Sequence, residues 1–487
     1  MNFLEKIKAK FNKRLIEEEV VDNTQIIHDM ICELLVEYEN TYYEEAQELG
    51  NHKHFKIKEY EEKIISLIDE NEAVLTILSP GSSKGCETNI GMRCANLGLE
   101  NAAIRCLQNF DASIQQNGKG FNIGMLCAHN GLEKAAIEAL KNPIASTQQN
   151  INKVNIGMYC AVNGLETAAI EALKNYDASL QQDWLGETIG IKCAQANLPN
   201  AVMVALKNPN ASLIRDYDSK NIAIYAAENG MEGCVIKAFS IKDLAEQCDN
   251  SGENLGFYCL NFNMIEAFKK ALQYREVYLQ KNHSGSNVGM VAVYKGATDF
   301  ALLAMKKREL AFQRDIFGDN MSMIAARKGL KPVVIEALKD YELSLETDMN
   351  NFNIGKIAAI NKHEDLVIEA LKYPMVSEQR DNLSYNLGML CAEQGLELAV
   401  IESLKNKTAS LQQDIKGFNI GMHCIYNNLE DATLVALQNS DACSQKSKKG
   451  LNMLDIITEQ CDKGKIDKTI LDKAIEVYSE LEETNEM

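Results

Sequence analysis

Positive charge is what this sequence has too little of: 50 Lys and Arg against 69 Asp and Glu leave a formal net charge of −19 over 487 residues. Nucleic acid and anionic membranes are attracted by a positive field. The balance therefore excludes a general affinity for either and leaves room only for a local basic patch. Long apolar runs are missing as well. No stretch approaches the roughly 20 apolar residues of a membrane span, and the opening MNFLEKIKAKFNKRL has neither the apolar core nor the cleavage site of a secretory signal. With 46% hydrophobic and 24% charged residues, the chain reads as a soluble protein, either cytoplasmic or delivered into a host cell's cytosol without a cleaved signal. Catalytic signatures are absent too. PGSSKGCETN at 80–89 has glycine and lysine but not the order of a phosphate loop. No G-x-S-x-G, H-E-x-x-H or Cys/His nucleophile arrangement stands out. His52 and His54 lack a Cys or carboxylate at ligand spacing. No enzyme activity, cofactor or metal is expected.

Cysteine, by contrast, is plentiful at fourteen, so placement must decide between disulfide, metal and packing. Seven of them (Cys94, Cys127, Cys160, Cys193, Cys259, Cys391 and Cys424) share one recurring slot that elsewhere holds Ala226, Ala292, Ala325 and Ala358. Exchange with alanine suits a small buried position and not a metal ligand. A reducing compartment follows.

The recurrence extends to the whole chain. GFNIGM at 120–125 returns at 417–422, and steps of 33 residues from its asparagine meet Asn89, Asn122, Asn155, Thr188, Asn221, Asn254, Asn287, Asn320, Asn353, Asn386, Asn419 and Asn452. An unslipped register means one structural unit stacked on itself, since no unit of this length buries its own apolar face alone. Asn or Thr at the anchor predicts a helix N-cap. Two positions on, nine of the first eleven units carry Gly, with Ala223 and Ser322 as exceptions, and a backbone passing close by is the expected reason. Nine positions on, the same eleven units carry Gly or Asn, and once Lys362, which predicts a left-handed end to the first helix. A second helix runs through LExAAIxAL and closes near Lys-Asn. The dozen residues before the next anchor, such as ASLQQDWLGE, hold too few apolar groups for a third helix and are expected to be extended, ending in a D-x-x-G turn. The glutamates Glu100, Glu133, Glu166, Glu232, Glu364, Glu397 and Glu430 open the second helices, where the helix dipole stabilises a carboxylate. A residue repeated along the chain is not one active site.

A 33-residue helix–turn–helix unit with D-x-x-G before the first helix resembles the ankyrin repeat from about residue 84 to 460. Asp183-Trp-Leu-Gly186-Glu-Thr188 and Cys193-Ala194 match the family's D-x-x-G-x-T and A-A elements, while N-I-G-M replaces its T-P-L-H. The resemblance implies an all-α fold, an ankyrin-type helical solenoid of about eleven to twelve repeats over 84–460. Residues 1–83 form a helical N-terminal cap and 461–487 a C-terminal capping helix with an acidic tail. Phe3, Leu4, Ile7, Phe11 and Leu15 share one helical face of that N-terminal cap and are expected to pack on the repeats, not to sit on a membrane.

The resemblance also implies that variable turn residues and the end of each first helix line a concave face where partners dock. Those positions include the aromatics Trp184, Tyr217, Phe262, Tyr294, Phe317, Phe352, Tyr385 and Tyr426, residue types that anchor interfaces. Lys295, Lys306, Lys307, Arg308, Arg314, Arg327, Lys328 and Lys331 concentrate positive charge in two repeats. Of these, Lys295, Arg327 and Lys328 fall at the expected concave positions, suited to an acidic or phosphorylated segment. The expected function is a scaffold, monomeric when unbound, that binds another protein without catalysis. The alternative is an effector in which residues 1–83 act and the repeats select the target.

Overall fold

The computed structural model describes residues 23–48, 54–79 and 87–486; the apolar stripe of residues 3–15 and His52 lie outside them. Among the described residues every regular element is a helix, with only isolated bridges of Ser79 to Thr88 and Lys281 to Asn287. No helix of them is long and apolar enough to cross a membrane. The chain divides into two compact bodies, Met1–Asn250 and Ser251–Met487.

Each repeat holds three helices. In the repeat of Asn122 they are Ile123–His129, Glu133–Leu140 and Pro143–Thr147. The anchor caps the first of them, its Oδ1 accepting from Met125 N at 2.8 Å. Its amide also donates from Nδ2 to Ala145 O at 3.1 Å and Gln148 Oε1 at 2.8 Å, at the end of the third helix. Asparagine suits both tasks because one side chain carries an acceptor and two donors. The same pair of donations recurs at Asn155 and Asn221 in the first body and at Asn386 and Asn419 in the second. Thr188 keeps the cap alone, to Ile191 N. At Asn320 the residue that should accept is Glu346, whose carboxylate pairs with Arg314. Asn320 Nδ2 is left buried without a partner among the described residues.

The third helix corrects the expected extended excursion. Asn142 accepts from Ile144 N and Ala145 N, and Ala145 and Ser146 are buried. The Lys-Asn that closes the second helix is thus the N-cap of another. The side chain's Nδ2 donates backwards to Ser113 Oγ of the preceding repeat at 2.8 Å, and Asn175 does the same to Ser146.

First helices end as expected, at Gly131 with φ +77° and at Asn197 with φ +56°. The glycine inside the helix needs a different explanation from the expected one. A Cβ on Gly124 would stand 2.5 Å from Ala139 Cβ and 2.6 Å from Ile156 Cδ1, so it is side chains that close in. The residue after the next anchor fills the gap at most of these glycines, as Ile156 does at Gly124 and Met321 at Gly289. A backbone does pass close at the turn glycine, where a Cβ on Gly120 would meet Asn150 Cα at 2.8 Å.

The recurring glutamates cap the next repeat. Glu100 Oε1 accepts from Lys134 N and Ala135 N, Glu133 from Thr167 N and Ala168 N, and Glu166 from Asn200 N and Ala201 N. Glu364 and Glu397 receive Ala399 N and Ala432 N likewise. Glu61, in the helix His54–Glu70, brings this device to the first repeat through Asn101 N at 2.7 Å. The slot cysteines are fully buried, as are their alanine counterparts. At the other end the helices Met453–Asp462 and Lys468–Glu486 and the turn between them cover Met422, Ile425 and Leu437 with Ile456, Ile457, Ile466 and Ile470.

Candidate functional site

The turn before each anchor, D-x-x-G at Asp183 and ending instead in Ser219 after Asp216 or Asn351 after Asp348, carries the most exposed apolar side chains of each body. Asp183 Oδ1 accepts from Leu185 N and Glu187 N at 2.9 Å each, which folds the backbone around the carboxylate and pushes residue 184 outward. In the first body a backbone hydrogen bond ties successive tips together. Ile151 N donates to Lys119 O at 3.1 Å, Trp184 N to Asn152 O at 3.3 Å and Tyr217 N to Leu185 O at 3.2 Å. Ile151, Trp184 and Tyr217 therefore stand in a row of consecutive repeats, and Tyr217 is 75% exposed. In the second body the same turn positions expose Ile316, Phe317, Met349, Leu383 and Ile415, with Ile415 N donating to Leu383 O.

Beneath the tips lies a polar layer that holds them. Lys192 Nζ stands 2.7 Å from Asp183 Oδ2 and 2.6 Å from Glu187 Oε2. Burial opposes its charge, but the two carboxylates outweigh it and hold the ammonium above its usual range. Tyr225 donates to Asp216 Oδ2 at 2.6 Å, and Tyr294 to Asp315 Oδ2 at 2.9 Å. Each tip is thus braced by its own first helix or its neighbour's.

The expected site residues divide into several kinds. Trp184, Tyr217 and Phe317 are exposed at tips. Phe262 stacks on Tyr258 with one face open, ring centroids 6.2 Å apart. Lys328 Nζ lies 6.0 Å over the Tyr294 ring, and Lys295 Nζ donates to Asn261 Oδ1 at 2.7 Å. Tyr426 is exposed and Phe352 half-buried. Tyr385 is not a surface anchor: at 6% exposure its hydroxyl donates to Glu393 and its ring meets the His423 edge. Its turn places it one residue before the anchor, under the tip and not on it.

Arg327 is committed within the protein. Its guanidinium reaches Asp319 at 2.7 and 3.1 Å and Asp348 at 3.0 Å, and these partners hold its pKa above the usual value. Arg308 pairs with Asp340 and Glu342, Arg314 with Glu346, and Lys331 with Asp365 and Glu369. Much of the basic cluster is therefore compensated by acidic neighbours about one repeat further on.

The sequence reading passed over Ile151, Leu185, Ile316, Met349, Leu383 and Ile415 because it weighed only aromatics. Their signal was positional, since each stands three or four residues before an anchor. It also passed over His28 and Cys32, four residues apart on one helix. Among the described residues no three His, Cys, Asp or Glu side chains are grouped to hold a metal ion. No family model matches the chain, and no curated protein matches it closely enough to count as a relative.

Proposed function

We propose that the chain is an ankyrin-type solenoid of the cytoplasm that binds a partner protein along its turn tips and catalyses nothing itself. One observation carries this reading: large apolar side chains stand exposed on consecutive tips held in register by backbone hydrogen bonds, as at Ile151, Trp184 and Tyr217. Scattered surface apolar residues need no explanation, whereas a contiguous braced row is what a protein interface is made from. Polar bracing lowers the ordering entropy lost on binding. Lys295 and Lys328, which have no carboxylate within ion-pair distance among the described residues, are where an acidic segment of the partner would be received.

The test is affinity capture by the full chain from a native lysate. The wild type is compared with Ile151→Ser/Trp184→Ala/Tyr217→Ala and, separately, Phe317→Ala/Met349→Ser. A partner retained by the wild type and lost on either triple or double variant, with circular dichroism unchanged, supports the reading. A partner captured equally by all three chains refutes the tips as its site.

A further inference from the structure

The helix Asn23–Glu48 places His28 and Cys32 one turn apart on the same face, and the chain brings Ser79 back against both. His28 Nε2 lies 2.9 Å from Ser79 Oγ. Cys32 Sγ is 3.7 Å from Nε2, 3.9 Å from Nδ1 and 3.8 Å from Ser79 Oγ. On the far side of the ring Nδ1 is 3.5 Å from Asp29 Oδ1 and 3.5 Å from Gln25 Nε2, which itself donates to Asp29 at 2.8 Å. His28 is buried and Cys32 half-buried. Ser79 is held in place by its bridge to Thr88, with backbone bonds of 2.9 and 3.0 Å.

This surrounding differs from that of the packing cysteines. Burial pushes the thiols of Cys127, Cys160, Cys193, Cys391 and Cys424 far up, so they stay protonated and inert. At Cys32 burial acts in the same direction, but the imidazole and Arg93 of the first repeat outweigh it and hold the thiol below its ordinary value. Hydrogen bonding to Cys32 raises His28 in turn, with Asp29 adding to it. Among the described residues, Asp29 on the same helix and Arg93 on the first repeat's helix act electrostatically on the pair. A protonated His28 donates from Nε2 to Ser79 Oγ, which leaves the serine hydroxyl free to donate to the sulfur.

We propose that Cys32 is a reactive thiolate, supported by His28 and Ser79, whose co-reactant is a small peroxide. The sulfur attacks one peroxide oxygen, the S–O bond forming as the O–O bond breaks. The departing hydroxide takes the imidazolium proton of His28 and leaves as water. The sulfur is oxidised by two electrons to the sulfenic acid, and the peroxide is reduced by the same two. This thiol chemistry is independent of the binding surface proposed above.

The experiment uses the full chain, with peptide-level mass spectrometry to separate Cys32 from the other thiols. Iodoacetamide labelling is followed from pH 5 to 9, and sulfenic acid formed by hydrogen peroxide is trapped with dimedone. Expected are a Cys32 labelling midpoint below the ordinary thiol value of about 8.5 and preferential dimedone capture over the half-buried Cys248 and Cys461. His28→Gln should slow Cys32 labelling at pH 7 by about tenfold, one unit of thiolate pKa. If that variant does not fold, Ser79→Ala, which leaves the helix core intact, decides by the same readout. A midpoint at or above 8.5, an unchanged rate in the folded variant, or dimedone spread evenly over the three cysteines overturns the proposal.

Discussion

Two lysines have been drawn inside a first helix, one in each body, with opposite results. Lys192 lies between Asp183 and Glu187 at 2.7 and 2.6 Å and is held above its usual pKa. Lys356 is fully buried, donates to Tyr385 O at 2.6 Å and has one carboxylate, Asp381, at 3.4 Å. Burial wins there and pushes its pKa down to about 8. Depth alone therefore does not set the charge of a buried lysine. The number of carboxylates and their distance do, because only close contacts offset the lost hydration.

The widest separation between the two sites should come from removing a partner. Asp183→Asn keeps the turn acceptor but leaves a buried ammonium short of one carboxylate, and should cost about 3 kcal/mol in urea unfolding at pH 7. Asp381→Asn should cost clearly less, since Lys356 sheds its proton close to neutrality. Equal losses would break the comparison.

Alkaline titration reads the same difference without a mutation. The folded pKa of Lys356 is depressed from 10.5 to about 8, so between those values the unfolded chain binds the extra proton. Stability then rises with pH across that window, by up to about 3 kcal/mol in the urea midpoints. Lys192, with its raised folded value, contributes stability that is full below 10.5 and fades only above it. A flat profile from pH 8 to 10.5 would remove Lys356 from the account.

Lys356→Met should flatten that rise and, because it leaves only Asp381 buried without its cation, should cost less at pH 7 than Lys192→Met. Lys192→Met should destabilise, because two carboxylates would stay buried. The smallest effect is expected directly above Lys192. Trp184→Ala, at an exposed tip, should change thermal stability by no more than about 0.5 kcal/mol. A larger loss would mean that the tip is part of the packing beneath it.

Much of the repeat was legible because its rules are local. A cap at Asn122, a left-handed end at Gly131 and the Cys127 slot each follow from side-chain chemistry within a few residues. The third helix was not legible. Five residues are too few for a helix to form on its own, and Pro143–Thr147 holds through Asn142 reaching Ser113 and through Asn122 binding its final turn. Of the candidate surface, Trp184, Tyr217 and Phe317 could be found from turn position and size, while Tyr385 misled because one step along a turn separates an outward side chain from an inward one.

The sequence by itself determined the helical content, the 33-residue register and the burial of the slot cysteines, since periodicity and residue size encode those directly. Tertiary structure alone decided which charges stand free and which thiol is perturbed. Arg327 meets Asp348 from 21 residues away, Glu133 caps a helix 34 residues on, and Ser79 reaches His28 across 51. Electrostatic environment depends on distance in space, and sequence separation does not supply it.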